Sequence, residues 1–501
     1  MNKKNRRNLD KRKRRIDRRL KPRQWTNQLR PMFAAANYHY EMADRMRGMC
    51  LGGMAAVHSL ARKLGLIAAI NQVLHLLKRH LPYLESDHVL NMAYNVMAGN
   101  TCLEDLELLR QDEAYLDMLG APRIPDPTTA GDFLRRFTPD SIVALMDAIN
   151  SIRREVWMTL PASLRKIAYI DVDGTMAGTQ GEKKAGMSLS YNGIWGYHPL
   201  LVSLAHFREP LFIVNRPGNV PSHTDAAGWL DKAIDLCKGS FEQVMLRGDT
   251  DFSQSAHLDR WTGQKVKFVF GFDSIAKLVS IADSLDESQY RTLVRPAKYE
   301  AQTECRDKRP NEKERIVKEK EYKNIRWVSE QVAEFSYRPG ECKQDYRMIV
   351  LRKNLSVEKG EKLLMDDIRY FFYITNDETM TAEEVVYQAN DRCDQENLIE
   401  QLKSGINALR APVHDLVSNW AYMVIASLAW SLKAWFALTL PRGADRDDVV
   451  RMEFKRFLNA VIRIPCQVVR TGRKIVLRLL AFTSRVRLLF TSMTARMQWT
   501  T

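Results

Sequence analysis

The sequence predicts an α/β protein: a mixed sheet with flanking helices, interrupted by a largely β insertion and bracketed by helical and basic segments. Three observations carry this. Apolar residues recur at helical spacing over residues 43–137, as in GGMAAVHSLARKLGLIAAINQVLHLLK. At Lys166 the period changes to two: in KIAYIDVDGT, Ile167, Tyr169, Asp171 and Asp173 alternate with Ala168, Ile170 and Val172, a strand ending in a Gly-Thr turn. Helical spacing returns at residues 381–403, TAEEVVYQANDRCDQENLIEQLK, after a charge-rich stretch with strand-like runs. With 501 residues and 45% hydrophobic content the chain can bury large cores. That size corresponds to roughly two to four domains.

Residues 1–24 hold 13 Lys/Arg against 2 Asp/Glu and little apolar area, so they read as a basic disordered arm. Residues 442–501 hold 13 Lys/Arg and 4 Asp/Glu. The two ends thus carry +11 and +9 of a net +16, and the body between them is mildly acidic at −4. Basic flanks around an acidic body point to a polyanionic partner, most simply nucleic acid, whose phosphates attract Lys and Arg by counterion release. Seven cysteines, at 50, 102, 237, 305, 342, 393 and 466, are scattered without a C-x-x-C. This indicates neither a zinc finger nor a disulfide framework, and it fits a reducing cytoplasm. The N-terminus has no apolar signal-peptide core, and the apolar run 416–432, interrupted by Ser418, Asn419, Ser427 and Ser431, reads as a buried helix rather than a membrane span.

The helical segment is broken by Gly99 and by Pro122, Pro125 and Pro127. After the strand at Lys166, strand-like segments follow at 197–205 and 211–215, then the helix-like DAAGWLDKAIDLCK. QVMLRGDTDF is a further apolar strand ending on acid. Two β segments thus deliver carboxylates, Asp171 or Asp173 and Asp249 or Asp251, from their C-terminal ends, where open α/β sheets commonly place their sites. For either one alone, a turn-forming Asp is the plainer reading. Residues 265–370 read as the β insertion, with strand-like NIRWVSEQVAEFSY and DYRMIVLRKN. RYFFYITN then leads back to the helix at 381, residues 407–440 are helical and apolar, and RKIVLRLLAFTSRVRLLF reads as helix or strand.

Thr381 and Glu384 form a capping box, so a helix starts there. On a 100° wheel Arg392, Glu396 and Lys403 fall within roughly 40° of one another, on the side of Val385, Ala389 and Ile399. A carboxylate on the inward side needs cations or a metal, and an internal Arg-Glu-Lys network holding the fold is one reading. The other reading joins Glu396 to the strand-end aspartates. Converging carboxylates are hard oxygen ligands that hold Mg²⁺ while leaving positions for phosphate oxygens. Two such ions, about 4 Å apart, activate an attacking hydroxyl and stabilise the leaving oxygen at a phosphodiester. Arg392 and Lys403 are then phosphate contacts.

DVDGT at 171–175, RGDTDF at 247–252 and the spacing Arg392-x3-Glu396-x6-Lys403 resemble the DDE transposases of bacterial insertion sequences, in the IS4-like branch with its Y-R-E-K signature. GNTCLEDLELLRQD, YHPLLVSL, NRPGN and ITND look most like the insertion-sequence 1380 group. The resemblance implies an RNase H-like catalytic core with a β insertion before the Glu helix. It implies Asp173, Asp249 and Glu396 as catalytic metal ligands, two Mg²⁺ ions for which Mn²⁺ can substitute, and Arg392 and Lys403 on phosphate. It further implies cut-and-paste cleavage and strand transfer at terminal inverted repeats of double-stranded DNA, by a homodimer at the nucleoid in a bacterial cytoplasm. The corresponding domain reading is a basic arm at 1–24, a helical DNA-binding domain at 25–150, core halves at 160–264 and 371–440 around the 265–370 insertion, and a basic C-terminal region at 441–501. A metal-dependent nuclease without strand transfer, or a catalytically inactive DNA-binding relative, are the alternatives.

The signature Tyr position, three residues before Arg392, holds Ala389, and the nearest tyrosine, Tyr387, faces away from Glu396 on the wheel. Relatives can pass through a DNA hairpin with help from an aromatic residue in the insertion, for which Trp327 is the counterpart by position, although a core tryptophan is the plainer role. His198 and His223 read as loop or core histidines, and Arg216 and Asn219 as turn residues or substrate contacts.

Overall fold

The computed structural model describes residues 47–80, 82–181, 183–190, 192–295, 323–359, 362–471 and 474–480, with isolated positions 10, 14, 315, 316, 319, 320, 488 and 489. The basic arm 1–24 therefore lies outside the described residues except for Asp10 and Arg14, as does most of the charged run 296–322.

The centre of the molecule is one mixed sheet. Its strands, numbered within the sheet, are β1 Ile167–Gly174, β2 Leu200–Leu204, β3 Glu209–Val214, β4 Gln243–Gly248, β5 Lys267–Phe272, β6 Arg291–Thr292, β7 Lys323–Tyr337, β8 Tyr346–Lys359 and β9 Lys362–Thr375. The spatial order is β6-β7-β8-β9-β5-β4-β1-β2-β3. β1 pairs in parallel with β4, and β4 with β5, whereas β2 and β3 run antiparallel beside β1. β1 and β4 end side by side in the same direction, and this brings Asp173 and Asp249 to one edge of the sheet. β2, β3 and the middle of β4 are buried and mostly apolar, Ser203 and Glu209 being the polar exceptions in β2 and β3, as strands covered on both faces require. The long strands β7–β9 do not form a separate sheet: Phe372–Thr375 of β9 pairs with Val269–Phe272 of β5, continuing the central sheet outward. β5 itself lies within the stretch assigned from sequence to the insertion.

Among the described residues seven α-helices precede β1, from Met54–Lys63 to Pro139–Met158. The last two start where the sequence supplies N-caps: Asp126 accepts from Thr129 N at 2.9 Å and Thr138 from Ser141 N at 3.3 Å, each followed by a proline at the first helical position. The apolar run at 416 is the helix Leu416–Leu438, capped by Asp415 and buried along its length. It packs on Glu85–Met97, on Pro139–Met158 and on β3, so the helical segment and the sheet share one hydrophobic core. Within the basic C-terminal run Lys474–Leu479 is strand: with Cys466–Thr471 it forms a hairpin that pairs with Gly48–Met49, while residues 481–487 and 490–501 lie outside the described residues.

An ion pair, Glu209 with Arg153, and the ammonium of Lys433 sit inside this core. Glu209, fully buried, accepts from Arg153 Nε at 3.0 Å, Trp157 Nε1 at 2.7 Å and Trp435 Nε1 at 2.8 Å, tying β3 to both of its covering helices. Lys433, 1% exposed, donates to the Val450 carbonyl at 3.0 Å and lies 4.1 Å over the Trp430 ring. Burial, then repulsion from Arg208, lowers its ammonium to about 7. In the unfolded chain this group titrates near 10.4. Between those values the unfolded state binds a proton that the folded state does not, so Lys433 costs stability increasingly as pH falls from about 10 towards 7 and by a constant amount below. Lys433→Met is therefore expected to stabilise the protein at pH 7, by on the order of 3 kcal/mol. Urea unfolding at pH 7 and pH 10 checks this: the gap between variant and wild type should close at the higher pH.

Candidate active site

The glycines beside the two aspartates are required by close approach. A Cβ on Gly174 would meet His198 Nε2 at 2.7 Å and Ser222 Oγ at 2.9 Å, and one on Gly248 would meet the Phe252 Cβ at 2.8 Å. Asp249 follows Gly248 at the end of β4, where its Oδ1 accepts from Asp251 N at 3.1 Å and starts a single 3₁₀ turn, Thr250–Phe252.

The two aspartates of DVD separate sharply. Asp171, fully buried, is held by Arg247, its register partner on β4, through Nε–Oδ1 at 2.6 Å and Nη2–Oδ2 at 2.9 Å. Arg247 also donates to Gln388 Oε1 at 3.1 Å and lies 5.0 Å over the Tyr169 ring. Both charges of that pair are thus committed to the fold. Asp173, one pleat further on, has no such cation. Burial and then the charge of Asp249 push its carboxyl up to about 7; Arg392 and the Gly174 N–H oppose this, and Glu396 adds to it. Asp249 is also raised, by burial first, with Arg392 acting against it. Glu396 and Arg392, more than 140 residues from Asp249 and more than 210 from Asp173 in sequence, thus sit within electrostatic reach of the β1 and β4 ends.

The segment that carries them departs from the sequence expectation of one continuous helix. Thr381 caps it as expected, accepting from Glu384 N at 3.2 Å while Glu384 Oε2 accepts from Thr381 N at 2.8 Å. The helix Ala382–Asn390 then ends, a new one runs Cys393–Glu400, and the last turn, Gln401–Gly405, is π. The break at 391–392 and the π turn each shift the phase, so a single wheel does not describe the faces. Glu396 is exposed, not on the packed side; Gln395, Leu398 and Leu402 are the residues buried there. A carboxylate beside two others avoids the cost of desolvation by facing solvent. Arg392 stands at the break, with Nη2 4.0 Å from Asp249 Oδ2. Lys403, half-buried in the π turn, has its ammonium lowered by burial, and the nearby charges of Glu400 and Asp173 oppose that shift. Asp173, Asp249, Glu396, Arg392 and Lys403 therefore share one edge.

The other sequence candidates separate as well. Tyr387 donates to the Val294 carbonyl at 2.5 Å and packs in the apolar cluster beneath the insertion, away from this edge. Trp327 lies on β7 opposite Leu355, next to a bulge, and its side chain is outside the described residues. His198 Nδ1 donates to the Val220 carbonyl at 2.7 Å, which leaves Nε2 turned towards Gly174. His223 and Asn219 are exposed. Arg216, 7% exposed, donates to the carbonyls of His198, Ser222 and Thr224 at 3.0, 3.0 and 2.9 Å, a turn-building role. Sequence reasoning missed Arg247 and Gln395; the register that pairs Arg247 with Asp171 was the only available signal for the first.

Among the described residues, no three His, Cys, Asp or Glu side chains stand close enough together to hold an ion. The donor set still suits a hard divalent cation. It is all carboxylate oxygen, and burial first and then the Asp249 charge disfavour the ionised form of Asp173 when no cation is bound.

No curated protein matches the chain. The piggyBac transposase synaptic complex with hairpin DNA, determined by cryo-EM, is a structural neighbour with a TM-score of 0.36 and 8% identity, covering 90% of this chain and 82% of that one. Residues 45–500 match the transposase DDE domain group 1 family, a span that takes in the whole sheet, both strand-end aspartates and the Glu396 segment. The chain belongs to that family of DDE transposases.

Proposed function

We propose that Asp173, Asp249 and Glu396 are the metal-binding carboxylates of this transposase, and that it cuts double-stranded DNA at the terminal inverted repeats of its element and joins the freed ends to target DNA. The observation that carries this reading is geometric: the parallel register of β1 and β4 ends both strands on an aspartate at one edge, and Arg392, four residues before Glu396, reaches to 4.0 Å from Asp249 Oδ2. The strand order β3-β2-β1-β4-β5 supports an RNase H-like core. The spacing of Arg392, Glu396 and Lys403 supports the IS4-like branch and, with the other quoted motifs, the insertion-sequence 1380 group; Tyr387 has no part in the site.

Two Mg²⁺ ions, with Mn²⁺ as a substitute, would activate the attacking hydroxyl and neutralise the leaving oxygen. The chain's own contribution is positioning. Asp173 and Asp249 present oxygens from adjacent parallel strands, Glu396 presents its own from the helix above, and Arg392 and Lys403 hold phosphates of the bound strand. The basic ends add sequence-independent affinity for the duplex. Two copies acting on paired ends, in a bacterial cytoplasm, complete the proposal.

The test is incubation of the purified protein with Mg²⁺, a DNA fragment carrying the element's ends, and a supercoiled target. Cleaved ends and products with target DNA joined to a 3′ end are expected. Cleavage without joining would identify a nuclease on the same core. Metal-independent binding with no cleavage would identify an inactive relative.

A further inference from the structure

The Glu396 segment lies over the sheet in three pieces, and each piece is fastened by a glutamine. Gln388 Oε1 accepts from Arg247 Nη1 at 3.1 Å, Gln395 Nε2 donates to the Leu201 carbonyl at 3.2 Å, and Gln401 Oε1 accepts from Phe454 N at 2.9 Å. The middle one is placed most tellingly. Leu201 on β2 is the register partner of Asp173 on β1, and Gln395 is the residue before Glu396. A single side chain therefore spans from the backbone of Glu396 to the strand position opposite Asp173.

Gln395 is 2% exposed, and its buried Oε1 has no hydrogen-bond partner among the described residues. The amide cannot be turned round, because that would set two oxygens against each other at Leu201. For packing alone this is a poor choice of residue: methionine fills a similar volume without a buried unpaired acceptor. The apolar contacts of Leu398 and Leu402 beside it are non-directional and leave the helix free to slide or roll on the sheet. A hydrogen bond to one carbonyl fixes the register.

We propose that Gln395 is a positioning residue that sets Glu396 against Asp173 through the Leu201 carbonyl. This rests on the site assigned above. Gln395 itself touches neither DNA nor ion; it fixes where the Glu396 backbone sits relative to β1, as the partners behind metal ligands do.

The test is Gln395→Met in the full-length protein. Its melting temperature and its affinity for end DNA are expected to equal those of wild type. Its affinity for Mn²⁺, read by electron paramagnetic resonance, should fall about tenfold, and kcat for end cleavage should fall about 10- to 100-fold with KM for DNA unchanged. In a Glu396→Gln background the same substitution should have no further effect on Mn²⁺ affinity, because its influence passes through Glu396. Wild-type Mn²⁺ affinity and kcat in Gln395→Met, an additive effect in the double variant, or a large drop in melting temperature would each overturn the inference, the last by placing Gln395 in the fold. Failure of the wild-type protein to bind Mn²⁺ or to cleave, or full activity in Asp173→Asn, would instead remove the site assignment itself.

Discussion

Asp173→Asn is expected to reduce DNA cleavage by a factor on the order of 10³ or more while DNA binding persists. The substitution keeps the shape of the side chain and removes the charge that a divalent ion needs. Gel assays of end cleavage, with fluorescence anisotropy for binding, check it; Asp249→Asn and Glu396→Gln should behave alike. Asp171→Asn supplies the contrast. It leaves the Arg247 guanidinium buried without its carboxylate, so the protein should lose stability whatever happens at the site. Asp173→Asn should instead stabilise the metal-free protein, because the wild-type carboxyl is buried among like charges and its ionised form is disfavoured. An inactive variant with a higher melting temperature is the signature of a carboxylate placed for function. Full activity in Asp173→Asn would show that the ligand lies elsewhere.

The second large effect falls on the fold. Glu209→Gln should destabilise the protein by about 3–5 kcal/mol, the range found when one partner of a buried ion pair is removed. Arg153 would remain 1% exposed and charged, and the two indole N–H groups of Trp157 and Trp435 would compete for one acceptor oxygen. Domains of ordinary stability, about 5–15 kcal/mol, lose a large part of their margin to such a change. Denaturant unfolding followed by tryptophan fluorescence measures it. A loss under 1 kcal/mol would mean that the Arg153 charge finds another partner once Glu209 is neutralised.

Much of the architecture was legible in the chain because local patterns sufficed. Alternation in KIAYIDVDGT marks β1, and an apolar run ending on RGD marks β4. Thr381 and Glu384 announce a helix start that the structure shows bond for bond. The apolar stretch after Asp415 is the buried helix its length and serines suggested. What local pattern could not carry was any feature that depends on a partner remote in sequence. The join of β9 to β5, which makes the insertion part of the central sheet, is backbone pairing across about 100 residues and leaves no periodic trace. The break at 391–392 and the π turn at Gln401–Gly405 are likewise invisible to a wheel that assumes one constant rise.

Within the site the same division holds. The sequence alone determined which residue types stand where: an Asp before Gly-Thr, an Asp after Arg-Gly, and an Arg, a Glu and a Lys at helical spacing in a basic chain. Those are properties of composition and order, and they were sufficient to find the family. Only the tertiary structure shows how the two aspartates of DVD are partnered. Parallel pairing sets Arg247 opposite Asp171 and so consumes one aspartate in an ion pair, leaving Asp173 as the carboxylate without a dedicated cation. The break in the helix leaves Glu396 exposed and tucks Gln395 against Leu201. Charge and hydrogen bonding act over a few ångströms, and which groups come that close is fixed by strand register and helix phase, which the linear order of residues does not contain.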